Sequence, residues 1–233
     1  MPEKHPRNRL VAALSVADKA LLVPRLTAVT LTLRQPMEAA QKRIKTVYFP
    51  ESGIVSVVAV SKRNAHAEIA IIGREGMTGV PLVLGCERSS YNAFVQVPGE
   101  AHSIDAGELL ECLSKSRTMR DTFLLFAHVL SLQSSHTALA SAHGTIETRL
   151  ARWLLMADDR MEHGEMLLTH EFLSLMLGVR RAGITEALGR LKNRRLIQTG
   201  RGRVTILRRD QLETVADGLY GAPEAEYRRV LGR

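Results

Sequence analysis

The spacing of apolar and polar positions changes along the chain, and each change predicts a boundary between elements. Residues 8–22 carry apolar positions at helical spacing and predict a short amphipathic helix that Pro24 ends. From Arg25 to Ile104, short runs of Val, Ile, Thr and Phe are cut by Gly and Pro at close intervals. The runs at 28–33, 46–49, 54–60, 67–72, 93–97 and 101–104 predict strands. Turn signals separate them at Pro50-Glu-Ser-Gly53, Gly73-Arg-Glu-Gly76 and Pro98-Gly99. Many short strands without long helices between them predict an antiparallel barrel or sandwich and argue against a parallel doubly wound sheet.

From Ala106 the period is helical for about fifty residues. Met119, Phe123, Phe126, Leu130, Gln133, Thr137 and Ala140 step by four and three, a heptad seam. A second stripe of smaller residues runs through Leu124, Ala127, Ser131, Ser134 and Ala138. One stripe alone would describe a single long helix lying on the barrel. Two predict that the second stripe meets the same helix of another subunit. Ala142-His-Gly144 interrupts the run and predicts a hinge. A further helix over 145–159 carries Ile146, Leu150, Trp153 and Leu154 on one face, and 161–165 is a polar link.

Residues 168–197 then read as two short helices around a tight turn. Thr169 is suited to cap the first, with Glu171 in its opening turn, where a carboxylate favours the helix dipole. Phe172, Leu173, Met176 and Leu177 give it a buried stripe, and Gly178 is the residue type that ends helices in the left-handed conformation. The second helix resumes near 179–181 and runs to about Asn193, with Ile184, Leu188 and Leu191 on one face. Arg180, Arg181, Glu186, Arg190 and Lys192 lie on the other. Residues 196–206 alternate apolar and polar positions around Gly200-Arg-Gly202, a β-hairpin. Together they predict a winged helix-turn-helix. Beyond it, 211–219 predicts a short helix, followed by a weakly specified basic end.

Charge sharpens that reading. Residues 168–209 hold ten Lys/Arg against two Glu, which equals the net +8 of the whole chain; the remaining 22 basic and 22 acidic residues cancel. A neutral body with a basic tip is the footprint of a phosphate-backbone binder. Aromatic residues make up only 4% of the 233, too few for stacking platforms, so duplex DNA is the expected nucleic acid. No apolar run reaches the length of a membrane span, and Asp18 and Lys19 break the N-terminal apolar patch too early for a signal peptide. Cys86 and Cys112 form no C-x-x-C pair, which argues against a disulfide framework, an iron–sulfur cluster or a structural zinc site. A reduced, cytoplasmic protein without a membrane segment is expected.

The stretch 168–197 resembles, without a gap, the C-terminal domain of the Crp/Fnr family of bacterial transcription regulators. Thr169, Gly178, Arg181 and the closing Leu196-Ile197 stand where that family's motif has them. Over the roll the resemblance rests on strand rhythm, on Tyr48-Phe-Pro-Glu-Ser-Gly53 and on Gly73-Arg-Glu-Gly-Met-Thr-Gly79. It implies an α+β fold: an antiparallel, jelly-roll-like β-roll with a short N-terminal helix (1–106), a long dimerisation helix (107–142), a winged helix-turn-helix (143–221) and a tail (222–233). The partners it implies are palindromic double-stranded DNA and a second copy of the chain through the helix at 109–140. RNA polymerase and a small-molecule effector of unknown identity are further candidates.

By the same resemblance Arg181 stands at a guanine-reading position, where arginine can bond O6 and N7 together. Glu186 stands at a second base-reading position and could accept from cytosine N4; an ion pair with Arg190 at i+4 is equally open. Ala182 replaces a family glutamate and leaves at most an apolar contact to a thymine methyl. The target sequence should therefore differ from that of the best-known member. Thr169, Arg180, Arg190, Arg201 and Arg203 are candidate phosphate contacts, which position but do not specify.

In the roll, the family's cyclic-nucleotide pocket has a Gly-Glu-Leu turn whose carboxylate holds the ribose and an Arg-Ser/Thr-Ala that grips the phosphate. This chain has Gly79-Val80-Pro81 at the first, so the ribose carboxylate is missing. Arg88-Ser89-Ser90 resembles the second, but aligning from the next strand puts Tyr91-Asn92 there instead. The pocket of Gly79, Val80, Arg88 and Ser89 is therefore degenerate, and the effector is not expected to be a cyclic nucleotide. The roll either senses something else or serves as a dimer platform. Cys86 lies in the pocket loop, where a redox-sensitive thiol is a further option. His136 and His143 share a helix face but read as surface polar residues. No Walker motif, nucleophile elbow or paired carboxylates are present, and Gly73-x-x-Gly76-x-x-Gly79 opens no helix, so neither an enzyme nor a metal or cofactor is expected. The alternative from another class is a cyclic-nucleotide-responsive or redox-sensing module that binds DNA mainly non-specifically.

Overall fold

The computed structural model describes residues 7–61, 63, 65–161, 165–200 and 202–232. The N-terminal segment is two helices and not one: α1 (Arg9–Ala12) and α2 (Val16–Leu22), followed by a 3-10 turn at Val23–Arg25. The cause is a second cap. Asn8 starts α1 by accepting from Val11 N at 3.0 Å, and Ser15 restarts the chain by accepting from Asp18 N at 3.1 Å.

The roll follows as β1 (Thr27–Leu31), β2 (Pro36–Glu38), β3 (Thr46–Pro50), β4 (Ile54–Val60) and β5 (His66–Ile72), then α3 (Val80–Val83), β6 (Asn92–Val97) and β7 (Gly99–Asp105). They form two antiparallel sheets, ordered β1-β7-β3 and β2-β6-β4-β5. All six predicted runs are strands. The short β2 was not anticipated, because it is an edge strand that opens on a proline and breaks the apolar period. Phe49, Val55, Val57, Ile72 and Met77 fill the space between the sheets and the helices behind them.

Helix α4 (Ala106–Lys115) and helix α5 (Arg117–His143) come next. The helical run over 109–140 is thus not continuous; it breaks at Ser116, whose backbone is extended at φ −130° and ψ 110°. Ser116 Oγ caps α5 by accepting from Met119 N at 3.1 Å, and its hydroxyl donates to Asp18. Asp18 also accepts from the hydroxyls of Ser15 (2.7 Å) and Thr118 (2.8 Å). Burial alone would raise this carboxyl, but the hydroxyls of Ser116, Ser15 and Thr118 outweigh it and hold the group below its ordinary range. A cap held this firmly favours two helices over one.

Along α5 the first stripe faces the roll. Met119, Phe123, Phe126, Gln133 and Ala140 are buried, and Phe123 lies 5.8 Å from Phe49 between ring centroids. Gln133 accepts from Ile71 N at 2.7 Å and donates to Ile71 O at 3.3 Å, tying helix to sheet. On the second stripe Ala127 is buried and Ser134 half-buried, while Leu124, Ser131 and Ala138 are exposed. Gly144 ends the helix in extended backbone, and Thr145 caps α6 (Ile146–Asp158) through Thr148 N at 3.2 Å.

The C-terminal unit contains β8 (Glu165–Leu167), α7 (His170–Leu177), α8 (Arg181–Asn193), β9 (Ile197–Gly200), β10 (Arg203–Ile206) and α9 (Arg209–Val215). The wing is a sheet ordered β8-β10-β9, one strand more than the hairpin expected. Its core of Trp153, Leu154, Leu173, Ile184, Leu188 and Leu212 is continuous with Ile54, Ile71 and Val97 on the outer face of the roll. The tail is a correction. It is not weakly specified but forms α10 (Ala222–Leu231), which packs along α5 and inserts Leu231 into the roll core. Pro223 in the first turn and the Glu224 carboxylate accepting from Gly221 N at 3.1 Å start that helix.

Candidate nucleic-acid interface

Local chemistry fixes the two helices at the tip. Thr169 Oγ1 accepts from Phe172 N at 3.1 Å, and Gly178 ends α7 at φ 62° and ψ 37°. The Arg149 guanidinium donates to Leu177 O, satisfying a carbonyl at the end of α7. Leu173, Met176 and Leu177 are buried, and Phe172 packs edge-on against Trp153 at 6.3 Å. In α8, Ile184, Ala187, Leu188 and Leu191 face the core. Gly183 lies so near α6 that an added Cβ would stand 2.7 Å from Ile146 Cδ1, and the tip of that side chain would have to turn aside to admit it. His170 Nδ1 and Thr185 Oγ1, 2.9 Å apart, join the outer faces of α7 and α8.

The predicted base-reading residues Arg181, Ala182 and Glu186 share the exposed face of the first half of α8. Arg180, just before the helix, is also exposed, and neither it nor Arg181 has an ion-pair partner among the described residues. Thr169 is exposed beside them; its oxygen already caps α7. Arg203 is exposed on β10, and Arg201 lies outside the described residues.

Arg190 is placed differently from the expectation of a free phosphate contact. Its Nε donates to Glu147 of α6 at 2.5 Å, while its i−4 partner Glu186 is 3.9 Å away. Glu147 also takes Arg194 at 3.2 Å. Glu186 therefore remains largely uncommitted, with 72% of its side chain exposed. Arg209 is committed as well, to Asp158 and Asp159 at 2.7 Å each and to Glu213 at 3.0 Å. Burial would lower its pKa, but Asp159 leads the neighbours that raise it above the ordinary value. The +8 counted over 168–209 thus overstates the field at the exposed face, since the acids that answer it lie on α6. Besides Arg190 and Arg194, the exposed basic residues among those described are Arg180, Arg181, Lys192 and Arg195 around the helix, with Arg203 and Arg208 in and after the wing.

The predicted effector pocket is partly rearranged. A cavity of about 300 Å³ lies between the roll and α5, and Gly79 and Val80 line it. Arg88 and Ser89 do not. Arg88 is exposed and donates to Gln41 O at 2.9 Å, and Ser89 is buried against Tyr91 O at 3.0 Å. Ser90 and Tyr91 line it instead; Asn92, which the alignment from the following strand put there with Tyr91, does not. Gly79 has φ 72°, and an added Cβ would meet Val47 Cγ2 at 2.5 Å, so both conformation and space require glycine. Sequence reasoning missed Glu38, whose Oε1 accepts from Gly79 N at 2.6 Å. It comes from β2, 41 residues away, and no local signal marks it. Cys86 lines the same cavity and is exposed. Among the described residues no cluster of three metal-ligating side chains occurs, and no helix is long and apolar enough to cross a membrane.

Two helices joined through a left-handed glycine, an exposed basic face at the start of the second and a three-stranded wing define a winged helix-turn-helix DNA-binding domain. Comparison gives the particular kind. Residues 148–215 match the Crp-like helix-turn-helix domain. The whole fold is similar to that of FixK2 from Bradyrhizobium japonicum, at a TM-score of 0.71 and 15% identity, covering 84% of this chain and 98% of that one. It is also similar to a regulator assigned to the Crp/Fnr family from Eubacterium rectale (0.68, 17%, covering 90% and 98%). A third similar fold is the c-di-GMP-responsive global regulator CLP of Xanthomonas campestris (0.65, 15%, covering 82% and 99%). A search of curated proteins found no relative matching in sequence. The chain therefore carries a Crp-like helix-turn-helix domain within the fold of the Crp/Fnr transcription regulators.

Proposed function

We propose that this chain is a homodimeric regulator that binds a specific, two-fold symmetric DNA site. The observation that carries the reading is the α8 face: Arg181, Ala182 and Glu186 are exposed together, opposite a buried Ile184-Leu188-Leu191 stripe. Such a helix enters a major groove with Arg181 toward guanine and Glu186 toward cytosine N4. Arg180, Thr169 and Arg203 hold the backbone. Arg190 would contribute only by releasing Glu147. The exposed stripe of α5 supplies the surface for a second copy, and the units 1–106, 107–142 and 143–221 divide sensing, pairing and recognition.

The effector, in this reading, is not a cyclic nucleotide. The cavity lacks the arginine that would hold a phosphate, and its Gly79 amide is already bonded. Selection of bound fragments from random duplex DNA at near-physiological salt tests the proposal. The expected product is a palindrome with half-sites about one helical turn apart, and Arg181→Ala should relax one symmetric pair of bases at about 1–3 kcal/mol per contact. Uniform binding that fades with salt and ignores Arg181→Ala would overturn it in favour of non-specific association.

A further inference from the structure

We propose that the cavity between the roll and α5 binds a small apolar molecule, uncharged or cationic, that presents an N–H or O–H donor to Glu38. The proposal rests on the reading of the roll as an effector-binding unit and is independent of DNA recognition.

Space and walls come first. At about 300 Å³ the cavity suits a molecule of two or three rings, at the small end of ligand sites. Val57, Ile69, Ile72, Val80, Leu84 and Leu130 make most of its surface apolar. Part of the polar capacity of these walls is spent, while the hydroxyls of Ser90, Tyr91 and Ser131 remain on the lining. Thr78 Oγ1 accepts from Tyr48 N at 2.9 Å, and Ser134 donates to Leu130 O at 3.0 Å within its own helix.

Charge then selects the ligand. Glu38 is the one carboxylate on the lining, and no Lys or Arg lines the cavity among the described residues. An entering anion would meet a like charge with no cation to offset its desolvation. The amide at the turn is no help to it, because Gly79 N already donates to Glu38 Oε1 at 2.6 Å. Glu38 in effect holds the place of the anion. Its other oxygen has no hydrogen-bond partner among the described residues, which leaves one charged acceptor among walls that are mostly apolar. A donor-bearing apolar molecule satisfies that acceptor and covers the walls; an anionic one brings a like charge to Glu38.

Location adds a consequence. Ala127, Leu130, Ser131 and Ser134 of α5 line the cavity, and all but Leu130 belong to the stripe proposed to meet a second copy. A molecule seated there touches the pairing helix directly.

The test uses the full chain and a matched pair of dyes, N-phenyl-1-naphthylamine and 8-anilinonaphthalene-1-sulfonate, which share one skeleton and differ by the sulfonate. The neutral dye should show saturable emission enhancement, and the sulfonate should bind about tenfold weaker or worse by like-charge repulsion in a partly desolvated site. Glu38→Gln should bring the two affinities to within a few-fold of each other by removing that repulsion. Leu130→Trp should fill the chamber and abolish saturable binding of the neutral dye. Should that variant not fold, the Glu38→Gln comparison decides alone, since only a site containing Glu38 responds to it. Equal affinities in the unmodified chain, discrimination unchanged by Glu38→Gln, or displacement of the neutral dye by cyclic AMP would each overturn the proposal. None of these measurements involves DNA, so their failure is distinct from failure of the regulator reading.

Discussion

Glu68 stands where the roll meets the helix-turn-helix unit. It lies on β5, is buried, and accepts from Ser56 Oγ at 2.5 Å and Trp153 Nε1 at 2.6 Å. Burial raises its pKa to about 7, against the opposing pull of those two donors and of Arg152 and Arg160. In the unfolded chain the group titrates near 4.5. Between those values the folded protein binds a proton that the unfolded chain has lost. Stability from this group is therefore complete below about pH 4.5 and is lost as pH rises through about 7. The full difference is on the order of 3 kcal/mol. Glu68→Gln should unfold at higher temperature than the parent at about pH 8, with the gap shrinking toward about pH 5. A gap that does not change with pH would mean that Glu68 does not titrate there. The sequence gives no hint of this carboxyl. In His66-Ala-Glu-Ile-Ala-Ile-Ile72 the alternation makes Glu68 read as solvent-facing, and it is buried by helices from elsewhere in the chain, Trp153 of α6, 85 residues away, among them. Arg181 is the contrasting case: its outward position follows from the period of its own helix, so it could be placed from the sequence alone.

At the scale of elements, what was legible is what local chemistry decides. The Thr169 cap and the Gly178 stop define α7, and Ile184, Leu188 and Leu191 define the inner face of α8, as read from the sequence. The strands β2 and β8 were not, because three residues hold too little of an alternation to see. Helix α10 was missed for another reason. Its partners are on α5, in another part of the chain, and its own pattern is dominated by charge. Leu231 is 6% exposed and packs in the roll core, so Leu231→Ala should cost about 2–3 kcal/mol in denaturant unfolding. Tyr227 of the same helix has a buried hydroxyl without a partner among the described residues. Tyr227→Phe should therefore be neutral or slightly stabilising, because it removes an unsatisfied group. Equal losses from both would mean that α10 is held by something other than its apolar face.

For the whole molecule, the recognition helix is coupled to α5 through two packed joints. The core of the helix-turn-helix unit continues into Ile54, Ile71 and Val97 of the roll, and Gln133 ties that sheet to α5 at Ile71. The spacing of two recognition helices in a dimer would then follow from how the two copies of α5 meet. Leu124, Leu125 and Leu139 are exposed on that helix at 37%, 37% and 44%, more apolar surface than an isolated chain gains from showing. Leu124→Glu places a charge on this face without touching the roll core, and should shift the chain from dimer to monomer in sedimentation experiments. Its DNA binding should fall toward that of one half-site while the base preference within the half-site persists. Arg181→Ala should do the reverse, keeping the dimer and losing the preference. If Leu124→Glu leaves the dimer intact, the pairing surface lies elsewhere. If both substitutions affect assembly and base preference alike, recognition and pairing are not separable along α5, and the division of labour proposed for this chain fails.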